Sequence, residues 1–259
     1  MKFLSRYKRI LFVLCVFSSP SAHASDKVKL ASDDWCPFVC VQNGKIQNGF
    51  LVDVSIKAMA LSGYHVEPEL RPLTRAIHET VHHIIAGVYA PPFDQNLRLS
   101  LPIAYSRACF YSRIDGTWQY KNMNSLSEQS IGVIADYGYD NGEMDAYIAK
   151  NLQQTSLIEL AYGDMAGTSN LHKLIKGRYH ALLEHEAVMA HLSQRLNLRQ
   201  QIKQVGCLEH ALPLTIGFAK QSPHAEAWIR ALNDGISRLE ASGELNLLRR
   251  QYGIKAGVR

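Results

Sequence analysis

Short apolar runs alternate with stretches of helical spacing along this chain, and the alternation breaks off and begins again partway. Val28-Lys29-Leu30-Ala31 reads as a strand, followed by a loop from Ser32 to Cys40 and a polar turn at Asn43-Gly44-Lys45. Leu51, Val52, Ser55, Ile56, Met59 and Ala60 then recur at helical spacing up to a stop at Gly63. A strand over His65 to Leu70, a helix from Thr74 through Val81 and an apolar strand Ile84-Ile85-Ala86-Gly87-Val88 complete the first run. Strands alternating with amphipathic helices predict a parallel sheet covered on both faces.

Past Pro91, Pro92 and Pro102, a strand from Ala108 to Tyr111 leads into a polar stretch with Asp115-Gly116, and the rhythm restarts. It runs through Ile131-Gly132-Val133-Ile134, a helix with Met144 and Ile148, a strand Leu157 to Leu160 and a helix through Leu171 and Ile175 that stops at Gly177. Strands at Tyr179 to Leu183, Ile202 to Val205 and Leu214 to Ala219 follow, and Trp228, Leu232, Ile236 and Leu239 mark a long helix near the end. Two βα runs in one chain predict two lobes rather than one sheet.

The N-terminus has the order of a secretory signal. Lys2, Arg6, Lys8 and Arg9 surround and precede an apolar run from Ile10 to Phe17, and small residues end in Ala22-His23-Ala24, so cleavage is expected after Ala24. The apolar run is far shorter than the roughly 20 residues that span a bilayer. Leu14 precedes Cys15 where a lipoprotein signal wants a small residue, so Cys15 is read as part of the apolar run. Removing 24 of the 259 residues leaves 235, enough for two lobes with their own cores. The signal carries four of the 28 basic residues and no acid, leaving 24 basic residues against 23 acidic ones. That balance gives no electrostatic case for nucleic acid or an anionic membrane.

Cys36, Cys40, Cys109 and Cys207 remain in a compartment where disulfides persist. Four thiols allow three pairings, and sequence does not choose among them. The preferred pairing is Cys36 with Cys40, across a short loop bent by Pro37, which leaves Cys109 with Cys207. A metal site is the rival reading, but the C-x3-C spacing lacks a second ligand pair. Other motifs fail on spacing. His191 stands six positions from His185 where a zinc-protease helix needs four, and His82 and His83 are adjacent and point apart. No phosphate loop or nucleophile elbow is present, so nothing demands catalysis or a cofactor.

Seven pieces carry a resemblance. They are Asp34-Trp35-Cys36-Pro37-Phe38, the stretch Asn43-Gly44 to Gly49-Phe50-Leu51-Val52-Asp53, Arg71-Pro72-Leu73-Thr74-Arg75-Ala76, Leu99-Ser100-Leu101-Pro102, Ile131-Gly132-Val133, Gly177-Arg178-Tyr179-His180-Ala181, and Ser242-Gly243-Glu244 to Tyr252-Gly253. In this order they resemble the periplasmic solute-binding proteins of the amino-acid-binding type, the bacterial extracellular solute-binding protein family 3. The resemblance implies an α/β fold of two Rossmann-like lobes joined by two hinge strands, the periplasmic-binding-protein type II architecture. It places lobe one at 26–112 plus 213–259 and lobe two at 113–212. It also implies a monomer in the periplasm that captures a small polar metabolite for the permease of an ABC-type importer, or alternatively for a membrane signalling receptor.

Ligands of open α/β sheets lie beyond the C-terminal ends of strands, where helix N-termini offer free N–H groups. The loops expected at the cleft supply Trp35 and Phe38 as stacking rings, then Gly87 and Tyr89, then Tyr137-Gly138-Tyr139. Relatives that hold α-amino acids carry a carboxylate-gripping Arg before the segment matching Leu99-Ser100; here Phe93-Asp94 stands there and the nearest is Arg98. They also carry an ammonium-binding Asp where His185 aligns, within Glu184-His185-Glu186. The departures point to an amino-acid-like ligand other than a standard α-amino acid, a polyamine, a peptide fragment or a carboxylate gripped by Arg75. An enzyme similar to cyclohexadienyl dehydratase is a more remote reading, with Glu184 or His185 as its general acid.

Overall fold

The computed structural model describes residues 26–163 and 165–255; the expected signal peptide and its cleavage site at Ala24 lie outside the described residues. The first run folds as β1 (Lys27–Ser32), the hairpin β2 (Cys40–Gln42) and β3 (Lys45–Asn48), α1 (Phe50–Ala60), β4 (His65–Leu70), α2 (Leu73–Val81), β5 (Gly87–Tyr89) and β6 (Leu97–Leu99). Parallel pairing of β1 with β4 and with β5 is what the βα rhythm requires. Gly63, at φ 82°, turns the chain out of α1 where the stop was expected. The apolar run at Ile84 starts later as a strand than its composition predicts. His83 adopts φ 60°, and the N–H groups of Ile84 and Ile85 close α2 by bonding to the Glu79 carbonyl. Ile84 is accordingly exposed, and pairing begins only at Gly87.

The chain crosses between sheets on β7 (Ala104–Ser106) and continues as β8 (Ala108–Arg113). The second run follows as β9 (Ile131–Ile134), α3 (Glu143–Asn151), β10 (Ile158–Ala161), α4 (Ala166–Ile175), β11 (Ala181–His185), α5 (Glu186–Arg195) and β12 (Ile202–Cys207). It returns on β13 (Leu212–Leu214), which pairs antiparallel with β7, and ends with β14 (Ile216–Ala219), α6 (Ala225–Ala241) and α7 (Glu244–Tyr252). The sheets are five-stranded, in the orders β4-β1-β5-β14-β6 and β10-β9-β11-β8-β12, and β7 with β13 forms the two-strand connection between them. This is the expected two-lobed α/β architecture with one boundary moved. A first lobe ending at 112 would include β8, yet β8 pairs with β11 and β12 in the second sheet, so the crossing lies at β7.

Each sheet has its own apolar core. Leu30, Phe50, Met59, Phe218 and Leu232 are buried in the first, and Phe110, Ile131, Val133, Met144 and Leu183 in the second. The disulfides are Cys36–Cys40 and Cys109–Cys207, the preferred pairing. Cys109 and Cys207 stand opposite each other on β8 and β12. Among the described residues no helix is long and apolar enough to cross a membrane, and no cluster of three metal-ligating side chains occurs.

Candidate functional site

Strand β1 delivers Asp33, Asp34 and Trp35 to the gap between the sheets. The chain folds back at once, with Trp35 and Val39 exchanging backbone hydrogen bonds, the Cys36–Cys40 bond closing the loop, and the Val41 N–H donating to Asp34 Oδ1 at 3.2 Å. Phe38 packs behind the indole at 4.6 Å between ring centroids. Opposite, β9 runs out at Ile134 into a loop held by local bonds. The Ile134 N–H donates to the Tyr139 hydroxyl (2.8 Å), and the Asp145 carboxylate accepts from the N–H groups of Tyr139 and Asn141 (both 2.8 Å). This frame aims Tyr137 across the gap, where its hydroxyl donates to Asp33 Oδ2 at 2.8 Å.

The third contributor is β11, which runs two residues beyond the expected strand and carries Glu184 and His185 inside the fold. Both are buried, Glu184 at 1% exposure. A carbonyl can only accept, so His185 Nε2 is the donor to the Gly138 carbonyl at 3.2 Å, and Nδ1 is buried without hydrogen-bond geometry to any of the described residues. The His185 ring is stacked near-parallel to Tyr139 and meets the edge of Trp35.

Two small chambers lie between the lobes. One, of about 40 Å³, is lined by Asp33, Asp34, Trp35, Tyr137 and Glu184, by Gly163 and the first residues of α4 (Ala166, Gly167, Thr168), and by His191 and Arg195 of α5. The other, about 20 Å³, lies between Asp33, Trp35, Tyr89, Tyr137, Gly138 and Leu212. At roughly 10–15 Å³ per water the chambers hold about three waters and one water. The Tyr137–Asp33 bond joins the lobes beside both, and Asp33, Trp35 and Tyr137 line the two alike.

Burial controls the charges. It raises the Asp33 carboxyl above its ordinary value, against the stabilising Tyr137 hydroxyl. It pushes Glu184 up to about 7, against the His185 backbone N–H and the Trp35 indole, and the negative charge of Asp33 adds to the rise. The indole Nε1 turns its positive end toward that carboxyl without reaching hydrogen-bond geometry. Burial pushes His185 down to about 4, so its ring is neutral at physiological pH, and lowers His191 with help from Arg195. Arg195 engages Asp34 at 3.7 Å. The larger chamber thus offers desolvated carboxyls toward one part of a ligand and a helix start, suited to an anion, toward another.

Of the residues singled out in the sequence, Trp35, Tyr137 and Glu184 line the larger chamber, and Tyr89 and Gly138 the smaller. The Tyr89 hydroxyl is bonded to Ser55 Oγ (3.1 Å). Tyr139 and His185 support the wall from behind. Phe38 belongs to the core, and Gly87 is a packing residue, since a Cβ there would lie 2.7 Å from the Gly217 carbonyl oxygen. Neither arginine reaches the cleft: Arg75 is 65% exposed and bonded to Glu79 one turn along α2 (2.6 Å), and Arg98 lies on β6 beside Glu226 (3.2 Å). The Glu79 pair accounts for a cation at the start of α2, where the helix dipole alone disfavours it. The sequence reading overlooked Asp33, Asp34, Thr168, His191 and Arg195. An acidic pair directly after a strand was a usable signal for the first two.

No protein-family model and no curated protein sequence matches the chain. Solved structures do. A histidine kinase sensor domain with similarity to periplasmic binding proteins superposes with a TM-score of 0.75 at 12% identity, covering 90% of this chain and 99% of that one. A mutant of ArgBP from T. maritima gives 0.70 at 17% identity, over 88% and 95% of the two chains. An arginine 3rd transport system periplasmic binding protein from Legionella pneumophila gives 0.68 at 16% identity, over 88% and 100%. At these identities the likeness is one of fold, and the chain has the two-lobed type II fold of the periplasmic binding proteins.

Proposed function

We propose that this chain captures a small polar metabolite between its lobes, in the periplasm and as a monomer, and that the closed form is read by the permease of an ABC-type importer. The observation that carries the reading is the Tyr137–Asp33 hydrogen bond, which joins the lobes over a chamber lined by polar groups of both. Ligand shifts such a molecule toward closure by its differential affinity for the closed form. Carboxyls beside a helix start fit an amino-acid-like or polyamine ligand. The proteins of similar fold include an arginine transport binding protein and an amino acid ABC transporter's substrate binding protein, which supports the importer reading. Native mass spectrometry of protein purified without denaturation, followed by calorimetry with the recovered compound, tests it. A stoichiometric small molecule that rebinds supports capture. Failure of any metabolite, including extracts of the host, to bind contradicts it.

The likeness to a histidine kinase sensor domain favours a second reading, in which the same capture informs a membrane receptor. Uptake of labelled ligand by cells with and without the protein separates the two. Binding rather than turnover is proposed, so the ligand should be recovered unchanged after incubation; conversion to a product would assign Glu184 a proton-donating role instead.

A further inference from the structure

We infer that the Cys36–Cys40 disulfide is an exchange site for small aliphatic thiols, in which Cys40 takes the incoming sulfur and Cys36 departs as a thiolate received by His191 of the opposite lobe. This activity goes beyond capture of a metabolite and does not depend on it.

Cys36 lines the larger chamber, and its Sγ lies 3.8 Å from His191 Nδ1, which comes from the other lobe and stands 155 positions away in the chain. Arg195, one turn further along α5, lines the same chamber. Burial, and then the charge of Arg195, lowers His191 below its ordinary value, so its ring is neutral at neutral pH. A neutral imidazole with its hydrogen on Nδ1 donates to a thiolate, and a guanidinium on the same wall favours the negative charge. Cys36 and Cys40 are both half-buried, so a small thiol can approach the bond. The second disulfide differs: Cys109 is fully buried, and Cys207 Sγ accepts from Gln204 Nε2 at 3.0 Å. Exchange is fastest where a disulfide is accessible and its leaving sulfur is stabilised as a thiolate.

The chemistry balances in two steps. A thiolate R–S⁻ attacks Cys40 Sγ, the Cys36–Cys40 bond breaks, a Cys40–S–S–R bond forms, and Cys36 Sγ keeps the electron pair beside His191. A second thiolate attacks the sulfur of R, releases R–S–S–R and leaves Cys40 as a thiolate; both cysteines then take protons from solvent. Two thiols are oxidised and one disulfide is reduced. Attack by Cys36 on the mixed disulfide instead expels R–S⁻ and restores the bond. Opening loosens the loop that carries Trp35, a wall of both chambers. The loop stays docked without the bond, because the Pro37 and Phe38 carbonyls accept from the Phe50 and Leu51 N–H groups at the start of α1 (2.8 and 3.0 Å).

The test incubates the whole mature protein, with no metabolite added, with 2-mercaptoethanol at neutral pH. Samples are quenched in acid, digested with pepsin and mapped by mass spectrometry. Cys36–Cys40 is expected to open about tenfold or more faster than Cys109–Cys207, with the trapped mixed disulfide on Cys40 and Cys36 free. His191→Ala should slow that opening about tenfold, the worth of one hydrogen bond to a thiolate, and leave Cys109–Cys207 unchanged. His191→Gln, which keeps an N–H donor, should recover part of the rate. The relative rates and the position of the mixed disulfide are read on the wild-type protein and stand whether or not either variant folds. Equal rates at the two disulfides, a mixed disulfide on Cys36, or opening unaffected by His191→Ala overturns the inference. Because no metabolite is present, each of those results leaves capture intact.

Discussion

The Tyr137 hydroxyl meets Asp33 Oδ2 at 2.8 Å, although the two residues belong to different lobes and lie 104 positions apart in the chain. Tyr137 stands on a loop braced by Asp145, and Asp33 is the first residue after β1, so the bond ties two frames at the point where they approach. Arg195 with Asp34 and Lys255 with Glu186 also join the lobes, but at more exposed positions where such pairs contribute little.

Removing the hydroxyl therefore acts on closure. Tyr137→Phe leaves the Asp33 carboxyl without this donor, and the expected cost is about 1.5 kcal/mol of ligand affinity, roughly tenfold. Calorimetry measures the affinity, and a larger radius of gyration of the ligand-free variant would show that the lobes part more readily.

Glu184 sets a pH dependence of stability with a definite sign. Its folded value, about 7, lies above the ordinary 4.5, so the stability it contributes is complete below pH 4.5 and is lost as pH rises through 7. The full span is about 3 kcal/mol at 1.36 kcal/mol per unit. Glu184→Gln is expected to be more stable than wild type by up to that amount at pH 8.5, with the gap closing toward pH 4.5. His185 runs the other way. Its folded value, about 4, lies below 6.5, so stability is lost as pH falls from 6.5 toward 4. Between 4.5 and 6.5 the two offset each other in wild type, and urea melts of Glu184→Gln should expose the His185 slope.

The disulfides should separate in size of effect. Cys109 and Cys207 are 98 positions apart, and on chain entropy their bond stabilises by about 4.7 kcal/mol; Cys36–Cys40, four positions apart, contributes about 2 kcal/mol. Thermal melts of the Cys109→Ser/Cys207→Ser and Cys36→Ser/Cys40→Ser double variants check the order. The second pair, which closes the loop under Trp35, should lose more ligand affinity than the first.

Arg75→Ala and Arg98→Ala are expected to leave ligand affinity within about twofold of wild type, and each should cost under about 1 kcal/mol of stability, as exposed ion pairs do. Trp35→Phe, which keeps a ring but removes the buried donor, should weaken binding more than either. An arginine variant that abolishes binding would return the clamp role to that residue.

Periodicity made the lobes legible because each βα unit buries one face of its own helix and strand, a local matter. It reached less far where tertiary contacts decide. Glu184 and His185 were legible as candidate ligand groups but fell past the expected end of the strand at Leu183; β11 continues through them, with both side chains buried. Ile84 and Ile85 looked like strand, but their N–H groups close α2 on the Glu79 carbonyl, and only at Ala86 does the chain bond to β1. Arg75 was a reasonable clamp until Glu79, one turn on, took its guanidinium. His191 and Arg195 are four apart on α5 and share a face, but nothing in the sequence says that this face turns to the first lobe.

Small-angle scattering of the mature protein, with and without the compound that copurifies with it, tests closure on ligand most directly. A smaller radius of gyration with ligand, reduced or lost in Tyr137→Phe, is the expected result. An unchanged profile at saturating ligand would contradict capture by closure of the lobes.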